Sequence, residues 1–130
     1  MTDVTGFALL GHAREMALGD SQRSVEAVSF EIDHAAILYL PGAVAAAGAG
    51  FLPGGLKNNR DFFGDCVAFR ESVGPQYRDL LFDPQTSGGL LIAISPESAE
   101  AATAALDGRG VSARRIGRVL RKTDPLLVVR

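Results

Sequence analysis

The sequence predicts a single α+β domain in which a mixed sheet is flanked by helices. Helix-like and strand-like segments alternate along the chain, and two strand-like segments follow one another at its end. The chain has 130 residues, which is the length of one domain. Hydrophobic residues make up 47% of it and charged residues 22%, the composition of a folded chain rather than a disordered one. We therefore expect one domain over residues 1–130.

Charge and cysteine content exclude several classes of function. Thirteen basic residues against fifteen acidic ones give a net charge of −2, which argues against a generally basic nucleic-acid-binding surface. The single cysteine excludes an internal disulfide framework and most thiolate metal sites. No apolar run approaches the ~20 residues of a membrane span, and the N-terminus lacks the pattern of a signal peptide. We expect a cytoplasmic protein that binds neither nucleic acid nor a membrane.

The first element is predicted to be a helix that begins near a Thr5 cap and ends at Gly19. Its predicted face recurs at a spacing of three or four residues, at Phe7, Leu10, Arg14 and Ala17. Apolar and polar residues then alternate in Ser24–Asp33, which predicts a half-buried strand.

The middle of the chain is less regular. Ala35–Leu40 is ambiguous and ends at Pro41, and Gly42–Gly48 is predicted to be a short helix with that proline in or near its first turn. Gly50–Gly64 is rich in turn-forming residues and has no sustained period, so an irregular segment is expected there.

Two strands and a helical turn are predicted around a polar loop. Asp65–Phe69 has the character of a short strand, and Pro75–Leu81 that of a helical turn. Asp83–Gly89 is a loop by composition. The continuous apolar run Leu90–Ile94 then predicts a central strand that is buried on both faces.

The last predicted helix begins at a Ser95 cap, has Pro96 in its first turn and ends near Asp107. Val111–Leu120 and Leu126–Val129 are predicted to be the two final strands. Because these two follow each other without a helix between them, the sheet is expected to be mixed rather than purely parallel.

Two segments carry a resemblance to a known family. Residues 2–12 read TDVTGFALLGH, and residues 80–92 read LLFDPQTSGGLLI. Together with GFLPGG at 50–55, Asn59 and ARRIGRV at 113–119, they resemble the C-terminal half of selenophosphate synthetase, over residues 1 to about 120. This family is related to aminoimidazole ribonucleotide synthetase, and the resemblance implies the same C-terminal fold: an α+β domain with a mixed sheet flanked by helices.

The resemblance implies a reaction that needs more than this chain. Family members convert ATP, selenide and water, with Mg²⁺, to selenophosphate, AMP and phosphate. Their reactive Cys or selenocysteine, its Lys and most metal-binding carboxylates lie in an N-terminal domain. We therefore expect an excised or truncated C-terminal domain that contains no catalytic residue and is inactive alone. The family's homodimer contacts lie mainly in the missing domain, so the chain by itself is expected to be a monomer.

Asp3 is the predicted metal ligand. The resemblance assigns the aspartate of this motif to the Mg²⁺ at the ATP phosphates, and Mg²⁺ prefers such oxygen ligands. Thr5 and Gly6 follow it, and a hydroxyl with an unobstructed amide at a helix start could contact a phosphate. The structural alternative is that Asp3 and Thr5 only cap the helix.

Thr86, Ser87 and Gly88 form the second predicted nucleotide-binding segment. With Gly89 they offer two hydroxyl groups and unhindered amides immediately before an apolar strand, a composition that can surround an anion. The alternative is a tight turn whose polar side chains bond to their own backbone. Within the longer family resemblance, we expect the loop to face the active-site cleft or the domain interface.

Gly54–Arg60 is a candidate lid. Lys57 and Arg60 could reach phosphates and the glycines could act as a hinge, whereas the alternative is an exposed loop without such a role. Leu56 stands where the family has Thr, so a hydroxyl role is excluded there. Ala8 stands where the family has glycine. This argues against a requirement that other groups approach the backbone closely at that position.

The remaining candidates have structural interpretations. His12 is expected to be a packed helix residue bonded to backbone rather than a phosphate contact, and His34 a surface residue. Cys66 is expected to be a small buried hydrophobe and not the nucleophile. The basic cluster is interpreted as the solvated face of a strand rather than an anion site. It comprises Arg114, Arg115, Arg118, Arg121 and Lys122.

Two other functions stay open at the level of sequence. One is a C-terminal domain from another branch of the superfamily, acting on a purine or thiamine precursor or in hydrogenase maturation; the DPQTSGGLL run argues against it. The other is a non-catalytic interaction module that retains the fold.

Overall fold

The computed structural model describes residues 1–19 and 26–130, so Ser24 and Val25 of the predicted second element lie outside the described residues. Within these ranges helices and strands alternate, which confirms the α+β class. The helices are α1 (Ala8–Leu18), α2 (Ala43–Gly48), α3 (Gly54–Phe63), α4 (Pro75–Leu80) and α5 (Pro96–Asp107), with 3₁₀ turns at His34–Ala36 and Gly64–Cys66. The strands are β1 (Thr2–Asp3), β2 (Val28–Ile32), β3 (Val67–Phe69), β4 (Leu90–Leu91), β5 (Gly117–Arg121) and β6 (Leu127–Val129).

A four-stranded mixed sheet is the centre of the fold. Its strand order is β3-β6-β2-β5. β2 runs antiparallel to β5 and parallel to β6, and β3 runs parallel to β6. This arrangement confirms the mixed sheet that the two consecutive final strands predicted.

Strand β2 is buried on both faces, so the prediction of a half-buried strand is wrong in this respect. Ser29 and Glu31, on the face expected to meet solvent, are both buried. The backbone N–H of Thr123 donates to Ser29 Oγ at 2.7 Å, and Arg118 Nε lies 3.0 Å from Glu31 Oε1. The polar alternation therefore reflects buried polar groups that have partners inside the protein.

The hydrophobic core lies where α1 packs on the sheet. Helix α1 contacts β2 and β6, and it also contacts α3. Leu10 and Ala13 of α1 and Leu127 of β6 are fully buried. The helix ends at Gly19, whose φ of +73° is the left-handed conformation that glycine adopts readily, as predicted.

Helix α3 replaces the irregular segment expected over Gly50–Gly64, and that prediction is wrong for residues 54–63. Leu56, Asn59 and Phe63 share its buried face at the spacing of a helix. The glycines at its start and the polar residues on its outer face hid this short apolar pattern.

The apolar run Leu90–Ile94 is not a central strand. Only its first two residues form β4, whose sole partner among the described strands is β1. Leu90 is 63% exposed, and Ile92 and Ile94 are exposed as well. An apolar run indicates that a segment is to be buried, but it does not indicate which element buries it. The central sheet does not bury this one.

The helices predicted at Gly42–Gly48, Pro75–Leu81 and from Pro96 to Asp107 are present within one residue. Of the predicted strand Val111–Leu120, only the part from Gly117 onward pairs in the sheet. None of the helices in the described ranges has the length and apolar character that a membrane crossing requires.

Candidate functional site

The two motif segments lie side by side in the structure. Strands β1 and β4 pair antiparallel, with Asp3 opposite Leu90. The pairing continues past the strands, because the Val4 N–H donates to the Gly89 carbonyl at 2.9 Å and the Gly88 N–H donates to the Val4 carbonyl at 3.1 Å. The fold thus joins segments that are far apart in the sequence.

Three further hydrogen bonds hold residues 82–89 close to the turn that precedes α1. The Gln85 N–H donates to the Thr5 carbonyl at 3.1 Å. The Asn59 side chain donates from Nδ2 to the carbonyls of Gly6 and Phe82, each at 3.0 Å. We call these paired segments, residues 2–6 and 83–89, the junction. The predicted nucleotide-binding residues all lie in it.

Three glycines shape this junction. A Cβ on Gly88 would lie 2.8 Å from the Val4 carbonyl oxygen, closer than real Cβ contacts allow. Gly89 has φ +87°, in the left-handed region. A Cβ on Gly6 would meet nothing within 4 Å, so the space beside this residue is open.

The predicted site residues lie on an exposed rim of the junction. Thr5 is half-buried, whereas the others are exposed. These are Asp3, Gly6, Thr86, Ser87 and Gly88. An exposed carboxylate, exposed hydroxyls and open backbone next to each other can bind an anion together with its metal ion.

Thr5 does not cap α1, which corrects that structural alternative. The residue before the helix is Phe7, which has no side-chain cap. Thr5 Oγ1 instead lies 3.0 Å from Nε2 of His12, one turn into α1. His12 is therefore a helix histidine whose partner is a side chain of the predicted site and not the backbone.

Ala8 has a left-handed backbone, with φ +61°, and is fully buried. This conformation separates Thr5 from the helix and explains why α1 starts after the predicted cap. It also gives the physical reason for the glycine that the resemblance expects at this position, which the sequence alone did not reveal.

The candidate lid Gly54–Arg60 belongs to α3, so the alternative of an exposed loop is wrong, and a closing role stays a prediction. Leu56 is fully buried in the core. Arg60 forms an ion pair with Asp79, so its charge already has a partner, and Lys57 is exposed. The segment is helical, and its Asn59 side chain bonds to Gly6 and Phe82 at the junction.

Cys66 and His34 lie away from the junction. Burial raises the pKa of the Cys66 thiol, and its Sγ donates to the Phe63 carbonyl at 3.0 Å, as suits a packed thiol rather than a nucleophile. His34 is half-buried rather than a surface residue, since its ring packs against that of Tyr77, with the two ring centroids 4.7 Å apart and the rings tilted by 46°. In the basic C-terminal cluster, Arg118 pairs with Glu31 at 3.0 Å and is thus part of the sheet.

The junction alone does not make a metal site. Among residues 1–19 and 26–130, no three His, Cys, Asp or Glu side chains are grouped so that they could hold a metal ion. Asp3 is therefore at most one ligand. Mg²⁺ often takes only one or two protein carboxylates and completes its shell with phosphates and water, so a single Asp fits a shared site.

A separate open depression of about 650 Å³ lies between α3, β3 and α4. None of the predicted site residues lines it. Its two arginines are engaged, Arg60 with Asp79 and Arg78 Nε with the Val73 carbonyl at 2.8 Å. Both arginine side chains therefore already have partners among the described residues.

Comparison with known proteins gives matches over nearly the whole chain. The family model for the AIR synthase related protein, C-terminal domain, matches residues 1–129. A selenide, water dikinase of Pelobacter propionicus is 45% identical over 129 residues, which are 98% of this chain and 35% of the relative. One from Clostridium botulinum is 38% identical over 129 residues, 99% of this chain and 36% of the relative. The chain thus spans about a third of the length of these relatives.

Proposed function

The chain belongs to the AIR synthase related protein, C-terminal domain family, and from this we propose that it is the C-terminal domain of a selenide, water dikinase. Relatives with that name are 36–45% identical to it. The reaction that the resemblance implies converts ATP, selenide and water to selenophosphate, AMP and phosphate. The matched third of the relatives leaves room for an N-terminal domain, which we propose as the partner of this chain.

The observation that carries the proposal is the junction of the two motif segments. Asp3 would bind a Mg²⁺ ion at the ATP phosphates. Thr5 and Gly6 on one side and Thr86, Ser87 and Gly88 on the other would contact the phosphate oxygens. The ion, when bound, neutralises phosphate charge, and the chain's own residues orient the nucleotide.

The chain alone is proposed to be inactive. Asp3 lies outside any group of three potential metal ligands in the described ranges, and we propose that the partner domain supplies further ligands to the ion. The raised pKa of the Cys66 thiol disfavours the thiolate that a nucleophile requires. No residue of this chain is assigned a catalytic role.

Exposed apolar side chains beside the junction support a partner domain. Leu90, Ile92 and Ile94 follow the loop of residues 83–89 and are all exposed. Burial of such a patch against another domain is favourable. We propose that the N-terminal domain covers it, that the parent is a cytoplasmic homodimer, and that the isolated chain is a monomer binding neither nucleic acid nor a membrane.

A chimera tests the site. The N-terminal part of the Pelobacter relative is joined to this chain, and Mg²⁺ with ATP is titrated into the chimera and into the chain alone by calorimetry. We expect binding by the chimera only. Asp3→Asn should weaken binding at least about ten-fold, or ~1.4 kcal/mol, when Mg²⁺ is present.

The control is Asp107→Asn, which removes an exposed carboxylate at the end of α5 and should leave the affinity unchanged. Equal affinities of the Asp3→Asn chimera and the unmodified chimera would remove Asp3 from the metal site. Tight binding by the isolated chain would favour a self-sufficient nucleotide module.

A further inference from the structure

Asn59 is a buried polar side chain that faces both halves of the junction. It lies on α3 and is 8% exposed. Its Nδ2 donates to the carbonyl of Gly6 and to the carbonyl of Phe82, each at 3.0 Å. A carboxamide nitrogen has two N–H groups, so one residue supplies one donor to each segment.

Each of the two segments supplies one of the two acceptors. The Gly6 carbonyl belongs to the turn between β1 and α1, and the Phe82 carbonyl directly precedes the loop of residues 83–89. Because the Asn59 side chain is only 8% exposed, an N–H of its NH₂ group that loses its acceptor costs free energy, so displacing either segment from Asn59 is unfavourable. Asn59 therefore opposes separation of the two segments.

Helix α3 holds Asn59 in place. Leu56, one turn earlier, is fully buried, and Phe63, one turn later, packs its ring 5.5 Å from that of Phe82. On the same helix, a Cβ on Gly55 would lie 2.8 Å from Cγ of Pro84, so the helix backbone itself touches the loop. The donor group is thus carried by a helix that contacts Phe82, directly before the loop, and Pro84 within it.

We propose that Asn59 is a positioning residue, which fixes the spacing between the turn that carries Thr5 and Gly6 and the loop that carries Thr86, Ser87 and Gly88. The claim that this spacing serves a nucleotide rests on the proposed function. The claim that Asn59 sets it concerns the chain itself and is tested without any ligand.

The variant that tests this is Asn59→Asp. It keeps the size of the side chain but replaces the donating NH₂ by an acceptor that faces two carbonyl oxygens. The matched control is Asn58→Asp, which makes the same change at the exposed neighbouring position of the same helix.

The measurement is amide hydrogen exchange of the isolated chain, followed by NMR. The junction amides are those of Val4, Gln85 and Gly88, which donate across the two segments. The reference amides are those of Phe30 and Arg130, which donate within the central sheet region. Local opening accelerates exchange of one set, whereas global destabilisation accelerates both.

We expect Asn59→Asp to accelerate exchange of the junction amides about ten-fold more than exchange of the reference amides, and Asn58→Asp to change neither set. Equal acceleration of both sets, or no acceleration at the junction, would overturn the proposal.

If Asn59→Asp does not fold, Asn59→Ser replaces it, since a hydroxyl retains one donor. Selective exchange in that variant supports the positioning role, and failure of both variants to fold assigns Asn59 to core stability and overturns it. Selective exchange together with a chimera that does not bind ATP would support the positioning role of Asn59 and contradict the proposed function.

Discussion

Gly88 and Val4 are in direct backbone contact at the centre of the junction. The Gly88 N–H donates to the Val4 carbonyl at 3.1 Å, and a Cβ on Gly88 would lie 2.8 Å from the same oxygen. Only glycine permits this approach without displacing one of the two segments. The close contact is what brings Asp3 and the loop of residues 83–89 to one rim.

Substitution of Gly88 by alanine should open the junction. The clash with Val4 is expected to lower the free energy of unfolding by about 1–3 kcal/mol. The control is Gly54→Ala in the first turn of α3, where an added Cβ meets nothing within 4 Å; it should be neutral or stabilising by up to about 1 kcal/mol. Urea unfolding of both variants measures the difference, and equal stabilities would contradict the close contact.

Ala8 should tolerate glycine better than other buried alanines of α1. Its φ of +61° costs an L-residue about 1–2 kcal/mol that glycine avoids. Ala13 is equally buried inside the same helix. We therefore expect the loss of stability on Ala8→Gly to be about 1–2 kcal/mol smaller than that on Ala13→Gly in thermal or urea unfolding. Equal losses would show that residue 8 is not strained.

Tyr39 should make the fold sensitive to alkaline pH. Burial, and to a lesser degree the negative charge of nearby Tyr77 when it ionises, raise the pKa of Tyr39 from 10.0 to about 12. Between these values the folded chain binds more protons than the unfolded chain, so the free energy of unfolding falls as pH rises through that window. Tyr39→Phe should lessen this fall when urea unfolding is repeated across the pH range.

The same variant should not destabilise the chain at neutral pH. The Tyr39 hydroxyl is buried and has no hydrogen-bond partner among the described residues. Its removal is expected to be neutral or to stabilise the chain by about 1 kcal/mol. A marked loss of stability in Tyr39→Phe at pH 7 would show that the hydroxyl has a partner.

The sequence predicts those elements whose boundaries have local causes. Pro75 and Pro96 start α4 and α5 because proline suits the first turn of a helix, and Gly19 ends α1 because glycine accepts a positive φ. Helix α3 is not predicted because its inward-facing pattern contains Asn59, a polar residue that is buried only because Gly6 and Phe82 supply acceptors. No local pattern reports such distant partners.

The candidate site, too, is predicted from the sequence only in part. Each motif is visible in the sequence, and the resemblance names Asp3 and the loop residues. That Val4 bonds to both Gly88 and Gly89 depends on strand pairing between distant segments. The positive φ at Ala8 was hidden because alanine is a favourable helix residue, so the sequence gives no sign of a left-handed backbone there.

Selenide-dependent formation of AMP by the chimera tests the proposed function most directly. We predict that the chimera of the Pelobacter N-terminal part and this chain forms AMP from ATP only when selenide is present, and that the isolated chain forms none. A folded chimera that forms no AMP, or AMP formation by the isolated chain, would contradict the proposal that this chain completes a selenide, water dikinase.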